Sequence, residues 1–571
     1  MKKIFLGLTV VAGLLLTSCN LDFFPSDELN SETLLQDESG AEYIMDGCYA
    51  LLKDEVEYIG YASGNTYVRH YTQLAEFPAD NTCLSSKTED PLYEATAYMM
   101  TDNLKNVGTL WMLAYKVIYM SNTVIETLGK KDLTDTQLLG EAYYMRALMH
   151  LHMVTLYAKP YSQGTENMGV PLMTSTASTT TRESVGKVYD QIVADLKLAA
   201  QYMVAGKERG NHGYPSHDAA LGLLSRVYLY MGMNNEVVNT VNEMLNGATA
   251  ESKLDPDLAN YFANAKTSSE TLFCVAHETT DDRGQSSAGS MYNADGGGWG
   301  EIYPSDPLLY LYERYPSDIR YTAFVNPQYA NNADPTKLFV YFPDPESKDD
   351  ASGRTDIAFA VTSTSAGYTF TADGTTYTIE KRPVQGEYSE YHVTYKNVDC
   401  LARVTMQMQV RNTFPKYYVK KLGYQDGSPT LCSPVFSRWG EVILNRAEAY
   451  AKLGEDQKAL DDVNVIRKRA GISDDGMFSA SNMHGYVDGL YQYADGSNMS
   501  AAMAVVMDER RMELAFEGYR MFDVYRNNIK MDRQYPGAQP WAIVEPTYNR
   551  IQYPIPNAEW TVSGIQQNPG Y

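Results

Sequence analysis

The stretch Glu441-Val-Ile-Leu-Asn-Arg446-Ala447-Glu-Ala-Tyr450-Ala-Lys-Leu-Gly454-Glu-Asp-Gln-Lys-Ala459-Leu-Asp-Asp-Val463-Asn-Val-Ile466 decides the fold. Apolar residues recur at three- and four-residue steps on both sides of Gly454, so it reads as two helices joined at a glycine turn. Ala447 is small enough to let the second helix approach closely, and Tyr450 fills the groove toward a neighbouring hairpin. The same pattern stands 222 residues earlier. There Ser225, Tyr228, Gly232, Val237, Val241 and Met244 align with Ala447, Tyr450, Gly454, Ala459, Val463 and Ile466. Arg146-Ala147 repeats Arg446-Ala447, so 136–157 reads as another first helix.

Helical spacing also covers 37–53, 107–128, 184–203, 217–231 and 235–245. Ser184 and Asp135 stand where N-caps belong, and Gly232 where a helix stops. Further helical blocks run over 438–471 and 501–527. The small residue, the Tyr three later, the Gly turn and the small-faced second helix resemble the tetratricopeptide hairpin. Its copies are scattered rather than tandem, so the stack must be assembled from distant segments, and 31–571 reads as a single interwoven domain. The stretch 357–418 differs. Tyr368-Thr-Phe-Thr and Thr375-Thr-Tyr-Thr-Ile flank Ala372-Asp373-Gly374, a hairpin signal, and Tyr391–Tyr395 and Val404–Val410 alternate like strands. The expected fold class is mainly α: a tetratricopeptide-like helical-hairpin scaffold with a loop-rich ligand-binding half and a small β-rich insertion.

Composition narrows the function. Lys and Arg number 47 against 71 Asp and Glu, a net charge of −24 that repels phosphate and excludes general nucleic-acid binding. Of the aromatic residues 46 are Tyr, against 16 Phe and 5 Trp. A Tyr hydroxyl needs a partner when buried, so this surplus points to wet, amphipathic surfaces.

The N-terminus sets the compartment. Lys2 and Lys3 precede an apolar run from Ile4 to Leu16, too short to span a bilayer and fitting the h-region of a secretory signal. Leu16-Thr17-Ser18-Cys19 resembles the bacterial lipoprotein box, which makes 1–18 the signal, Cys19 the lipid attachment site and 19–30 a tether. Acyl chains on Cys19 would hold the protein on a membrane. The five other cysteines show no CxxC or regular spacing, so neither a disulfide framework nor a zinc site is expected.

Candidate chemistry is sparse. His150 and His152 lie two apart on a helix and cannot share a metal, and His212 and His217 lack a third ligand nearby. No nucleophile elbow, P-loop or dinucleotide fingerprint is present. Asn293-Ala294-Asp295 could offer oxygens to calcium but lacks the acidic ladder of an EF-hand, so a structural calcium is unsupported and no cofactor is expected. Glu509, Glu513 and Glu517 share one helix face with Arg510, Arg511 and Arg520 nearby. A carboxylate pair for glycoside hydrolysis would need one raised pKa, whereas adjacent guanidinium groups depress it. An ion-pair lattice is the expectation there, and no catalytic residue is assigned.

Several segments in chain order carry a resemblance. They are Cys19-Asn20-Leu21-Asp22 with Pro25; Trp111, Tyr115, Ile118 and Asn122; Arg146-Ala147 ahead of Gly169-Val170-Pro171-Leu172; and Pro304-Ser305, Leu309, Tyr312 and Asp318-Ile319-Arg320. After the 441–471 hairpin come Glu509-Arg510-Arg511-Met512-Glu513-Leu514-Ala515-Phe516-Glu517-Gly518-Tyr519-Arg520, Pro554-Ile555-Pro556 and the ending Asn568-Pro569-Gly570-Tyr571. Together they resemble the SusD/RagB family of outer-membrane nutrient-binding lipoproteins. The resemblance implies a binding protein, not an enzyme, lipid-anchored on the exterior face of the outer membrane. It further implies that the protein captures oligosaccharides and delivers them to a SusC-like TonB-dependent transporter. Some relatives take peptides instead, and a secreted glycoside hydrolase on a helical scaffold is the alternative from another class. The chain departs from the family pattern at 158–168, inserted before Gly169, and in the β-rich stretch, for which the family offers no matching motif.

A pyranose offers an apolar face ringed by hydroxyls, so its site needs an aromatic platform with polar neighbours. Two loops supply both: Tyr58, Tyr61, Tyr67, Arg69, His70 and Tyr71 leading to Asp80-Asn81, and Met291 to Trp299 leading to Tyr303. The candidate glycan-binding residues are Trp299, Tyr292, Tyr303, Asp80, Asn81 and Tyr67. Trp111, inside a helical motif, reads as structural.

Overall fold

The computed structural model describes residues 38–60, 63–85, 91–131, 133, 135–204, 209–347, 355–385 and 388–571. The signal segment, Cys19, the tether and Tyr61 lie outside them. Among the described residues ten helices have ten residues or more. They are α1 (Glu38–Lys53), α2 (Tyr67–Glu76), α3 (Lys105–Leu128), α4 (Gln137–Tyr157), α5 (Val185–Tyr202), α6 (His217–Met231), α7 (Asn234–Leu245), α8 (Trp439–Lys452), α9 (Asp456–Arg469) and α10 (Ala501–Glu513). Of the described residues 43% are helical, as the mainly α reading requires. Ser184, Ser216 and Ser500 cap α5, α6 and α10 by accepting the N–H three residues on. Asp135 accepts the Gln137 N–H at 2.9 Å, but the cap position itself is Thr136. Gly232 (φ 74°) and Gly454 (φ 75°) end the first helix of each hairpin in the left-handed conformation a Cβ disfavours.

Helices α3 to α7 pack in chain order, and α8 then packs on α6 and α7, so the two hairpins 222 residues apart lie against one another. Arg226 on α6 grips Glu441 on α8 with two bonds of 2.6 and 2.7 Å, and Asn445 donates to Ser225 at 3.1 Å. The repeated Arg-Ala pair has a physical basis. Arg146 clasps Asp195 on α5 (2.8 and 2.6 Å) and Arg446 clasps Asp462 on α9 (2.8 and 2.7 Å), the same fork across each hairpin. One continuous apolar core runs from Ala41 on α1 to Ile565 near the C-terminus. Asn568, in the C-terminal motif, closes it by donating to the carbonyls of Tyr157 and Tyr553 at 2.8 and 2.6 Å. Trp111 is buried among Tyr115 and Tyr157, a structural residue as expected.

The lattice around Glu509, Glu513 and Glu517 exists, but its cations come from elsewhere. Glu509 takes Arg320 (2.6 Å) and Arg467 (3.3 Å), Glu513 takes Arg438 (2.8 Å) and Arg469, and Glu517 takes Arg438 and Lys421 (both 2.8 Å). Arg510 instead serves Asp523 and Glu448, while Arg511 and Arg520 reach Asp80. Glu509 and Glu513 are buried, and Glu517 is partly buried with its side chain turned inward. Burial alone would raise the Glu513 carboxyl, yet Arg469, Arg438 and Arg320 outweigh it and hold it well below the usual carboxylate range. A carboxyl so held does not serve as a general acid.

The β-rich stretch starts earlier than expected. Seven strands, β1 (Leu338–Pro343), β2 (Asp356–Ala360), β3 (Thr362–Thr364), β4 (Gly367–Ala372), β5 (Thr375–Gln385), β6 (Tyr388–Tyr395) and β7 (Val398–Met406), form one antiparallel sheet in the order β2-β1-β7-β6-β5-β4-β3. Asp373 and Gly374, both at positive φ, make the two-residue turn that pairs Ala372 with Thr375. The sheet curls until β2 meets β4, where Phe359 stacks on Phe370 with ring centroids 4.8 Å apart. It encloses a second core of Val340, Phe342, Phe370, Ile379, Val393 and Tyr395. Among the described residues no helix is long and apolar enough to cross a membrane. The five described cysteines are all buried and free.

Candidate functional site

Burial removes five of the six candidate residues from the surface, which corrects their expected role. Tyr67 opens α2, a helix absent from the sequence expectation, and its hydroxyl meets His152 Nδ1 at 2.7 Å in the core. Tyr292 is buried between Phe77 and Phe516, each 5.8 Å away by ring centroid. Tyr303 pairs with Cys83 between two short strands and packs on Phe414 and Tyr535. Asp80 is clasped by Arg520 (2.7 and 3.0 Å), and Asn81 Oδ1 accepts from Arg511 at 2.9 Å. Burial would raise the Asp80 carboxyl, but Arg511 and Arg520 hold it well below the usual range. These five residues are spent on the interior.

Trp299 behaves otherwise. It is 46% exposed, although the chain around it is closely hydrogen-bonded. The glycines about it bend the chain more tightly than other residues permit: a Cβ on Gly298 would lie 2.2 Å from the Asn293 carbonyl oxygen, and Gly300 has φ 52°. The backbone N–H of Trp299 donates to Ser290 at 2.7 Å, its indole Nε1 to the Gln285 carbonyl at 3.2 Å, and Arg411 donates to the Trp299 and Gly300 carbonyls at 2.8 and 3.1 Å. An aromatic ring held this way is ordered before any ligand arrives, which lowers the entropic cost of binding.

The ring borders an open cleft of about 380 Å³ that Arg69, His70, Gln73, Lys105, Gln285 and Glu301 also line. That volume falls within the roughly 300–1,000 Å³ of small-ligand sites. The two loops flagged from sequence thus meet, but through Arg69 and Trp299 rather than through their tyrosines. His70 is buried between Asn65 Oδ1 (3.1 Å) and Gln73 Oε1 (3.2 Å); burial first, then the charges of Arg69 and Lys105, lower it to about 3 and keep it neutral. Glu301 is engaged by Arg411 at 3.0 Å. Lys105, Gln73, Gln285 and Glu301 escaped sequence reading. Only Lys105 carried a signal, a cation at the first position of a helix, where the dipole disfavours it.

Two other hollows suit a sugar less. The one beneath Tyr161, Tyr189 and Tyr230 holds only about 20 Å³, and the groove of about 420 Å³ beside Tyr98, Ile543, Val544 and Tyr548 is largely apolar. The Asn293 and Asp295 side chains have protein partners instead. Asn293 donates to the Pro429 carbonyl at 3.0 Å, and Asp295 accepts from Tyr424 at 2.9 Å. Among the described residues no three His, Cys, Asp or Glu converge to hold a metal.

Comparison with known proteins agrees with the fold. The profile of the SusD family matches residues 269–571, and one described as "starch-binding associating with outer membrane" matches 25–229. SusD-like protein P2 of Formosa agariphila is 24% identical over 493 residues, covering 84% of this chain and 83% of its own. SusD-like protein P25 of the same organism is 22% identical over 553 residues, covering 94% and 92%. Among solved structures, a SusD superfamily protein from Bacteroides thetaiotaomicron superposes with a TM-score of 0.66 at 21% identity, over 93% of this chain and 99% of that one. A SusD-like carbohydrate binding protein from Bacteroides vulgatus gives 0.61 at 15% identity, over 92% and 96%. The segments quoted for the resemblance are those that tie the interior together: Arg320 to Glu509, Arg226 to Glu441, Asp80 to Arg511 and Arg520, Asn568 to Tyr157. The chain belongs to the SusD family.

Proposed function

We propose that this protein is a cell-surface lipoprotein that captures oligosaccharides and hands them to a SusC-like TonB-dependent transporter in the outer membrane, without catalysis. The observation that carries the reading is Trp299, a half-exposed indole fixed at the edge of a polar cleft. Its face can cover the C–H side of a pyranose while Arg69, Gln73, Lys105 and Glu301 offer bonds to the hydroxyls at the rim. A solved relative of the same fold is described as a carbohydrate binding protein, and the profile matching 25–229 names both starch and the outer membrane. Cys19, acylated after removal of 1–18, supplies the anchor. Residues 31–571 act as one interwoven domain.

Replacing Trp299 by Ala is expected to abolish glycan retention in affinity electrophoresis while circular dichroism stays native. Unchanged retention would reject the site. Incubation with a glycan panel should give binding without new reducing ends, and turnover would reject the non-catalytic reading. Cys19→Ala should release the protein from the membrane fraction, and continued retention there would contradict the anchor.

A further inference from the structure

Arginines that reach into this protein follow one habit. Arg146, Arg226, Arg446, Arg510 and Arg520 each turn the edge formed by Nε and Nη2 onto a carboxylate, that of Asp195, Glu441, Asp462, Asp523 and Asp80 in turn. The edge carries two parallel N–H donors that match the two oxygens of a carboxylate. Arg533 breaks the habit. It is 1% exposed, and its Nη1 donates to the Thr96 carbonyl at the end of the short helix Pro91–Thr96. Its Nε and Nη2, both buried, have no hydrogen-bond partner.

Among the described residues no carboxylate pairs with Arg533. The polar groups that come near it are the hydroxyls of Tyr535, Tyr98 and Tyr525. Burial pushes all three above their ordinary pKa, so they stay neutral. They have partners of their own: Tyr535 donates to the Thr82 carbonyl at 2.9 Å, and Tyr98 and Tyr525 meet each other at 2.6 Å. A guanidinium stays charged, so burying it without a counter-charge costs stability that a bound carboxylate returns.

Arg533 also lines the groove of about 420 Å³, a volume proper to a small-ligand site. The hairpin that pairs Met531–Asp532 with Ile543–Val544 carries it there, with its backbone N–H donating to the Ala542 carbonyl at 3.0 Å. Around it stand Ala97, Pro540, Ile543 and Val544, and the rings of Tyr98 and Tyr548, edge to face with centroids 6.4 Å apart. Glu545 is the one carboxylate in the lining, and Lys530 pairs with it at 2.8 Å. No residue is shared with the Trp299 cleft.

We propose that this groove is a second ligand site, which takes a small aromatic carboxylate. The ring lies between the apolar walls beside Tyr98 and Tyr548, and the carboxylate closes on the empty edge of Arg533 as Asp195 closes on Arg146. The site stands apart from glycan capture and does not depend on it.

Calorimetry on the full chain tests this with trans-cinnamate and 3-phenylpropanoate, each set against its neutral amide. The acids are expected to bind about tenfold or more tighter than the amides, and acetate, which has the charge without the ring, about tenfold or more weaker than the acids. Arg533→Met should bring the acids down to the affinity of the amides, with circular dichroism confirming the fold. If that variant does not fold, Ile543→Asp decides. A carboxylate at this 48% exposed rim position should cut acid binding about fivefold and amide binding no more than about twofold. Acids and amides bound alike, an acid preference that survives these substitutions, or no binding of any probe up to about 10 mM would each overturn the site.

Discussion

Arg69 and Trp299 donate to the same atom, the backbone carbonyl oxygen of Gln285, over 2.7 and 3.2 Å. Ser290 Oγ adds a third bond to it at 2.7 Å. A carbonyl has only two lone pairs, so this acceptor is saturated and fixes a cation and an indole relative to one another. The spacing between them is set by the main chain and not by either side chain's rotamer freedom.

Ring and tether at Trp299 can be separated. Trp299→Phe keeps an aromatic face but loses the Nε1 donor, and is expected to weaken glycan binding by about tenfold, in line with about 0.5–1.5 kcal/mol for an oriented aromatic contact. Trp299→Ala should remove binding altogether. Calorimetry with the same ligand compares them, and equal losses would mean the bond to Gln285 matters and the ring face does not.

Gly298 sits at an ordinary φ, so its role is purely spatial. Gly298→Ala places a methyl 2.2 Å from the Asn293 carbonyl oxygen and must displace the loop that presents Trp299. Overpacking of this kind costs about 1–3 kcal/mol. The expected outcome is a melting temperature lowered by a few degrees together with lost glycan retention. Full retention would show that the turn's shape is irrelevant to binding.

Glu76 makes stability depend on pH. Its buried carboxylate ends α2 and accepts the N–H groups of Gly518 (2.8 Å) and Phe516 (3.1 Å), where the chain breaks between α10 and the short helix Arg520–Arg526. Burial raises it from 4.5 to about 7, against the pull of those two N–H bonds. Below pH 4.5 folded and unfolded chains both hold the proton. From there to about 7 only the folded chain keeps it, so stability falls as pH rises through this window, by on the order of 3 kcal/mol. Urea titrations at several pH values should show this slope in the natural protein and a flatter one in Glu76→Gln. Parallel profiles would assign the slope to other groups.

Arg320 is wholly buried between Asp318 and Glu509, at 2.7 and 2.6 Å. Arg320→Met fills the space but removes the cation paired with Asp318 and leaves Glu509 with Arg467 alone, and should cost about 3–5 kcal/mol. Denaturant midpoints measure it. A loss below about 1 kcal/mol would mean that Arg467 and water compensate.

Periodicity made much of the scaffold legible, because α3, α5, α7 and α9 each turn one face inward, and the 222-residue offset marked hairpins that prove to be neighbours. Helix α2 left no such trace. It is buried nearly all round, and its polar residues are satisfied inside: His70 by Asn65 and Gln73, Thr72 by the Val68 carbonyl. A helix without an exposed face has no amphipathic pattern to read. Glu509 and Glu513 on α10 and Glu517 beyond its end read as a lattice, but their partners Arg320, Lys421, Arg438, Arg467 and Arg469 lie in other segments, which no local spacing reveals. The Trp299 turn is legible in the sequence as glycine-built. Spacing does not show that the tyrosines beside it turn inward, since Tyr292 and Tyr303 differ from Trp299 only in which way the chain faces.

The curled sheet has its first and last strands side by side. Leu338 on β1 is the direct partner of Met406 on β7, and the core between them is separate from the helical one. Such a piece behaves like a cassette. Its joints to the helices lie on these same two strands: Tyr341 on β1 belongs to the helical core, and Arg403 on β7 binds Glu313 at 2.9 Å. Over evolutionary time that arrangement lets the strands beyond those joints be rewritten without renegotiating the helical interior.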